Sequence, residues 1–126
     1  MSAAILITIT HLTAAYAGQK QLKFVWEYPD PPADLAGFYL YASTIQGTYQ
    51  KPLMTINDDP TEQDYHAETI LESPDGQIQT WYFILTAFDI NGNESTPSNE
   101  VSAIVDFEKP PAPLTLTVDV IPIPIE

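Results

Sequence analysis

"DINGNESTPSNEV", residues 89–101, separates two runs of alternating apolar residues. Asn91 and Gly92 lie near its start, and both residue types tolerate the positive φ angles found in tight turns between antiparallel strands. A calcium-binding loop is the alternative for a stretch so rich in oxygen-bearing side chains. However, the stretch lacks the twelve-residue ligand spacing and the terminal bidentate glutamate of such a loop. The sequence therefore predicts a turn between two strands.

Alternation with a period of two continues through most of the chain. In "QLKFVWEYP", Leu22, Phe24 and Trp26 share one face, which is typical of a half-buried strand. "GFYLYAST", "TWYFILTAFD" and "EVSAIVDF" alternate in the same way, and weaker strands are predicted near "HLTAAY", "TYQKPLM" and "YHAETIL". These short runs, divided by Pro, Gly, Asn and Asp, predict an all-β sandwich of about seven strands.

The two ends of the chain stand apart from this predicted body. "AAILITIT" alternates but has no strand assigned to pair with it, so residues 1–10 are predicted to form an N-terminal β-arm. Residues 109–126 begin with the linker "KPPAP", alternate over 114–120 and finish in Ile-Pro repeats, which favour an extended conformation. The sandwich itself is predicted to span residues 11–108.

The charge balance excludes two classes of partner. The 126 residues include 17 acids against four lysines and no arginine, which gives a formal net charge of −13. Nucleic-acid binding depends on Lys and Arg side chains that displace counterions from phosphates, and anionic membranes attract the same side chains. We therefore expect no nucleic-acid partner and no membrane partner.

The titratable residues form no catalytic pattern. Cysteine is absent, and the two histidines, His11 and His66, are accompanied by no nucleophile-elbow sequence. The acids of "NDDPTEQD", residues 57–64, can attract a weak cation, but a solvated loop is the simpler interpretation. We expect no enzymatic activity, no catalytic residue, no specific metal site and no cofactor.

Three motifs together resemble the fibronectin type III family. "WYFILTAFDINGNESTPSNEV" is similar to its last two strands, in which an aromatic-rich strand ends in Ala-x-Asp before a glycine turn. "LKFVWEYP" resembles its second strand, with Trp26 as the core tryptophan, and "DLAGFYLYAST" resembles its third. The chain departs from the family at Trp81, where a tyrosine is usual. Over residues 11–108 the resemblance implies an immunoglobulin-like β-sandwich of the fibronectin type III kind, with about seven antiparallel strands, that serves as a spacer or binding module.

The alternation also predicts an apolar outer face. In the family the third, sixth and seventh strands are neighbours in one sheet, so the outward side chains of these strands would form one patch. Exposed patches of this kind mark an interface or a surface covered by another segment. The interface residues predicted on this face and on the two arms are Ile5, Ile7, Ile9, Tyr39, Tyr41, Tyr82, Ile84, Ile104, Leu116 and Val118.

These features predict a non-enzymatic structural or interaction protein. Single domains resembling this family decorate the heads, necks and tails of bacteriophages, and β-arms that add strands to a neighbour's sheet join identical subunits. The first hypothesis is a virion component whose partners are copies of itself on a scaffold or other virion proteins. The alternative is a fibronectin type III spacer or binding module of a bacterial extracellular adhesin or polysaccharide-degrading enzyme, because "KPPAPLTLTV" resembles the start of a following domain.

The expected location is the virion under the first hypothesis and outside a bacterial cell under the alternative. "MSAAILITIT" has no basic residue before its apolar run, so no signal peptide is predicted. A membrane-spanning helix needs about 18 consecutive apolar residues, and no run in the sequence approaches that length. A third hypothesis, carbohydrate binding through exposed aromatic rings, is weakened because Trp26 and Trp81 are both expected in the core.

Overall fold

The computed structural model describes residues 4–10, 18–62, 64–72, 77–108 and 110–124. Within these residues the chain forms seven strands and no helix, which confirms the predicted all-β class. The strands are β1 (Ala4–Thr10), β2 (Gln19–Glu27), β3 (Leu35–Ser43), β4 (Met54–Asn57), β5 (Tyr65–Glu72), β6 (Ile78–Asp89) and β7 (Val101–Asp106).

The strands form two antiparallel sheets that pack face to face. One sheet has three strands in the order β1-β2-β5, and the other has four in the order β4-β3-β6-β7. The third, sixth and seventh strands are therefore neighbours, as expected from the sequence. Inward-facing side chains from both sheets make one continuous core, so the fold is a β-sandwich.

The centre of the core is an aromatic cluster contributed by both sheets. Leu22, Phe24 and Trp26 on β2 are at most 3% exposed. The ring of Phe24 packs edge-on against Phe83, with centroids 4.9 Å apart, and Trp26 packs in the same way against Phe38 at 5.1 Å. Each such buried ring stabilises the fold by roughly 1.5–3 kcal/mol. The predicted core position of Trp26 is confirmed.

The N-terminal strand belongs to the sandwich, and the prediction of a separate arm at residues 1–10 is wrong for β1. All seven of its residues pair with β2 of the same chain, and Ile5 is only 8% exposed. β5 pairs with one edge of β2, and the other edge is open to an alternating strand. The sequence alone does not reveal that open edge, so β1 was left without a partner in the prediction. In this register Ile5, Ile7 and Ile9 lie opposite Trp26, Phe24 and Leu22.

The weaker strand predictions have different outcomes. "YHAETIL" forms most of β5. Of "TYQKPLM", only Met54 is in a strand, because Pro52 has no amide hydrogen for a ladder. "HLTAAY", residues 11–16, lies outside the described residues. The described residues thus contain the predicted number of about seven strands, and β1 is one of them.

We expect Trp26→Ala to lower the free energy of unfolding by about 3–5 kcal/mol, because it leaves a cavity between the sheets. Urea unfolding measures the change. Trp26→Phe keeps a ring against Phe38 and removes an indole N–H that has no hydrogen-bond partner among the described residues, so it should cost less. A cost below about 1 kcal/mol for Trp26→Ala would contradict the core position.

If β1 is part of the folded unit, its truncation should reduce stability. We expect Ile5→Ala to cost about 2–5 kcal/mol, as for other large-to-small changes in a core. Ile104→Ala is the matched control, since Ile104 is 71% exposed, and it should stay within about 0.5 kcal/mol of the wild type. Equal effects of the two changes would argue that β1 does not contribute to the core.

Candidate interaction surfaces

The outer face of the four-stranded sheet carries the predicted tyrosine-rich patch. Tyr39 and Tyr41 alternate with the buried residues of β3, and the register places Tyr41 directly opposite Ile84 on β6. Tyr82 has the same parity as Ile84 on β6, and Ile104 lies on the outer face of the neighbouring β7. The structure therefore brings these five predicted residues onto one face, which we call the aromatic face.

Most of the aromatic face is covered by other side chains of the same chain. Only Ile104 is strongly exposed, at 71%, whereas Tyr39, Tyr41, Tyr82 and Ile84 are half-buried. This extent of cover was not expected from alternation alone.

Two aromatic residues missed by the sequence analysis contribute to this cover. Phe88 stacks on Tyr39 with ring centroids 4.3 Å apart, and Tyr49 packs edge-on against Tyr41 at 6.4 Å. Gly37 lies opposite Phe88, and a Cβ there would be 2.9 Å from the Phe88 ring. The parity of Phe88 along β6 was a signal for its position. Tyr49 lies in "TYQKPLM", which was predicted as a weak strand with no face assigned, and the structure places it before β4.

Two carboxylates cap the phenol groups of the aromatic face. Glu94 accepts hydrogen bonds from the hydroxyls of Tyr41 and Thr86, the latter at 2.7 Å. Glu100 accepts one from the hydroxyl of Tyr49 at 2.6 Å and one from the Gly47 amide at 3.0 Å. The acids that follow the turn at residues 89–93 are thus acceptors for the sheet face as well as sources of negative charge.

Residues 94–100, which carry these two carboxylates, are held beside β6 by hydrogen bonds of Ser95 and Ser98. The amides of Ser95 and Ser98 donate to the carbonyls of Ala87 and Leu85, both at 2.8 Å. In return each serine Oγ accepts from the amide of the same β6 residue at 2.9 Å. "ESTPSN", residues 94–99, therefore pairs with β6 ahead of the first residue of β7. This pairing places Glu94 within hydrogen-bond distance of the Tyr41 hydroxyl.

The pKa values of both phenols and of Glu100 are shifted in this arrangement. Burial, with the neighbouring negative charge of Glu94, raises the pKa of Tyr41 to about 12. Burial and Glu100 likewise raise the pKa of Tyr49. The hydroxyl of Tyr49, with a smaller contribution from the Gly47 amide, holds the pKa of Glu100 below its usual range. Near neutral pH the phenols are therefore protonated donors, and the Glu100 carboxylate is an ionised acceptor.

The stretch at residues 89–93 is a hairpin turn, as predicted. The amide of Gly92 donates to the Asp89 carbonyl, and the Asp89 amide donates to the Asn93 carbonyl, both at 3.0 Å. Gly92 has φ = 83°, so this is a type I turn followed by a glycine bulge.

The carboxylate of Asp89 is used inside the turn. It accepts from the side chain and amide of Asn93 and from the amide of Asn91, at 2.9–3.0 Å. The Asn93 side chain contributes most to holding the pKa of Asp89 below its usual range. In the acidic loop, the Asp59 carboxylate similarly accepts from the amide and hydroxyl of Thr61. Among the described residues, no group of three His, Asp or Glu is arranged to hold a metal ion.

The second surface is the C-terminal segment, residues 110–124. It contains no strand or helix, and every residue in it is exposed. Six large apolar side chains are exposed to water within ten residues, and exposed apolar patches of this size are typical of interaction surfaces. Their exposed fractions are Leu114 92%, Leu116 95%, Val118 86%, Val120 92%, Ile121 82% and Ile123 87%.

Comparison with known proteins finds no family model, no curated protein and no solved structure that matches the chain. In the described part of the chain, no helix has the length and apolarity needed to cross a bilayer. The function must therefore be inferred from the aromatic face and the C-terminal segment.

The capped phenol of Tyr41 gives a measurable pH dependence. Its pKa rises from the ordinary value of 10.0 to about 12 in the folded protein. The folded state therefore keeps a proton that the unfolded chain releases. The resulting stabilisation is complete below pH 10 and is lost as the pH rises towards about 12.

We expect a pH-jump absorbance titration, read before unfolding, to show a phenolate transition near pH 12 that Tyr41→Phe removes. Glu94→Gln should lower the pKa of Tyr41, though not fully, because burial remains. The control is Glu72→Gln, since the Glu72 carboxylate accepts from Gln19 in the other sheet. An unchanged titration in Glu94→Gln would refute the capping arrangement.

Proposed function

We propose that the protein is a non-enzymatic structural component that joins a larger assembly by donating residues 114–121 as a strand to the sheet edge of a neighbouring subunit. The observation that carries the proposal is the exposure of this segment. Each of its large apolar side chains is at least 82% exposed, although the alternation over 114–120 is that of a strand with one buried face.

Docking at a sheet edge would bury the apolar side chains of this segment and would pair its backbone groups. Burying one Leu, Val or Ile side chain contributes roughly 1.5–3 kcal/mol. A sheet edge also supplies partners for the backbone amides and carbonyls, which pair with no described strand here. The opposing term is the ordering of the backbone, about 1–2 kcal/mol per residue. Pro110, Pro111 and Pro113 reduce the entropy of the linker before docking, which lowers that cost.

The architecture supports a fibronectin type III-like module as the carrier of this segment. The support consists of the strand order β4-β3-β6-β7 in the larger sheet and the buried Trp26 on β2. Members of that family, as the sequence resemblance implies, are spacers and binding modules. The non-enzymatic part of the proposal is supported by the carboxylates of Asp89, Glu94 and Glu100, which are engaged in hydrogen bonds that shape the loops.

The setting we propose is a bacteriophage particle, where the partners are copies of this chain on a scaffold or other virion proteins. Its support is the analogy with single domains of this kind on phage heads, necks and tails. A net charge of −13 opposes non-specific association between free copies. Docking through this strand is compatible with that charge, because residues 114–118 carry no acid and Asp119 is the only charged residue in 114–121.

One observation favours a second candidate, a spacer module of a bacterial extracellular adhesin or polysaccharide-degrading enzyme. A proline-rich linker at residues 110–113 followed by an alternating run is what the junction between two successive domains of this family looks like. In that case the same strand would open the next sandwich. The two candidates therefore differ in the protein that supplies the sheet edge.

We expect genes for capsid or tail proteins beside the gene for this chain, and cosedimentation of the full chain with particles assembled from those proteins. A variant lacking residues 114–126 should stay folded, because the core residues of the sandwich precede Pro110, but it should not cosediment. The double change Leu116→Asp and Val118→Asp should have the same effect. Full incorporation of the truncated chain would refute the proposal, and a neighbouring secreted reading frame would favour the second candidate.

A further inference from the structure

The geometry points to a specific acceptor: residues 115–120 of one copy pair with the free edge of β7 in a second copy of this chain. This inference rests on the proposed function, because it names the partner of the donated strand. It is carried by the charges on the sheet edges, the direction of the β7 amides and the prolines around the donated run.

The four edge strands differ in their protection against pairing. Strands β1 and β5 bound the smaller sheet, and β4 and β7 bound the larger one. β4 has only four residues, and β5 carries Glu68 and Glu72. Short edges and edge charges both prevent the addition of a further strand. β1 and β7 lack this protection: β1 carries no charge, and β7 is uncharged from residue 101 to residue 105 and reaches its first acid at Asp106. Pairing at β1 would survive a change in β7, so a variant of the β7 edge separates the two.

The backbone of β7 presents hydrogen-bonding groups to its free side. Just after β7, the amide of Phe107 donates to the carbonyl of Gln77 at 3.0 Å. Because an antiparallel ladder alternates, the odd-numbered residues of β7 bond to β6 and the even-numbered ones point the other way. The amides of Ser102, Ile104 and Asp106 therefore face the side on which no described strand pairs. This is a template for one more strand.

The prolines select a register for the added strand. Pro113 and Pro122 enclose the run 114–121, and β7 has six residues. An antiparallel register that sets residues 115–120 opposite residues 106–101 keeps both prolines outside the paired region. A shift of two residues one way would bring Pro113, which has no amide hydrogen, opposite Asp106. The opposite shift would place Asp119 beside the exposed Ile104.

The same register matches the faces of the two strands. Leu116, Val118 and Val120 would lie opposite the inward-facing residues 105, 103 and 101, and Thr117 opposite Ile104. A shift by one residue would reverse the faces and turn the threonines inward. The register also separates the acids, since Asp106 would face a threonine and Asp119 a serine. Although the chain has a net charge of −13, no two acids lie opposite each other in this contact.

The linker explains why the acceptor belongs to a second copy. Pro110, Pro111 and Pro113 favour an extended, semi-rigid conformation of about 3.1 Å per residue. A return to the chain's own β7 would require a reversal within residues 108–113, half of which are proline. The large apolar side chains of the segment are instead at least 82% exposed. Pairing of this kind is head-to-tail, so each copy has one strand to donate and one edge to fill.

The test uses the purified full chain, studied by sedimentation velocity and light scattering from about 1 μM to about 1 mM, a range that covers modest affinities. We expect concentration-dependent species larger than a dimer. Ile104→Pro removes an amide on the free side of β7 and leaves the bonds to β6, and Thr117→Pro removes the amide that would donate to the Ile104 carbonyl. Each change should weaken association at least tenfold. The control is Ala112→Pro in the linker, which adds a proline outside the paired residues 115–120.

A mixture of the two variants gives the sharpest result. Ile104→Pro retains the strand, and Thr117→Pro retains the edge, so together they should form a one-to-one dimer that grows no further. Ile104→Lys, which places a charge on the edge, keeps the test valid if circular dichroism shows that Ile104→Pro is unfolded. The inference is overturned if the wild-type chain is monomeric throughout, or if the folded edge variant associates as the wild type does.

These outcomes separate the inference from the proposed function. A chain that is monomeric alone but needs residues 114–126 to enter particles overturns pairing with β7 and leaves the proposed function standing. A chain that associates through β7 but enters particles without that segment supports the pairing and refutes the proposed function.

Discussion

The packing of aromatic rings across the two sheets is the interaction on which the rest of the structure depends. β2 lies in the middle of the smaller sheet, and its Phe24 and Trp26 meet Phe83 and Phe38 of the larger one at 4.9 and 5.1 Å. The chain has no cysteine and, among the described residues, no helix, so this layer must offset chain entropy and the repulsion of a −13 charge. Once these rings point inward, strand geometry sends every second residue outward.

The alternation of inward and outward side chains along a strand explains how much could be predicted from the sequence. The inward set on β2 and the outward tyrosines follow from alternation, because side-chain direction in a strand is a local property. The pairing of β1 with β2 could not be predicted, since it depends on an edge left open elsewhere in the fold. The caps on Tyr41 and Tyr49 were missed for the same reason, because each joins residues more than 50 positions apart. No local pattern records such a contact.

The acids are distributed in a way that composition alone conceals. Asp89, Glu94 and Glu100 lie in or beyond the turn after β6 and accept hydrogen bonds there. Strand β1 carries no charge at all, and β7 carries only its last residue, Asp106. Negative charge therefore surrounds the sandwich through its loops while one flank of edges remains neutral. Long-range repulsion of this kind limits random association, and the neutral edges remain available for pairing at short range.

The two terminal segments show why similar sequences have different positions. "AILITIT" and "LTLTVDV" both alternate apolar and polar residues, and both therefore need a sheet edge. The first has one within its own chain and joins β2 along its whole length. The second follows a linker with Pro110, Pro111 and Pro113, which favours extension over reversal. Alternation thus gives each segment one apolar face and the need for a sheet edge, whereas in the assembly that we propose the stiffness of its connection decides whether that edge lies in the same chain or in another.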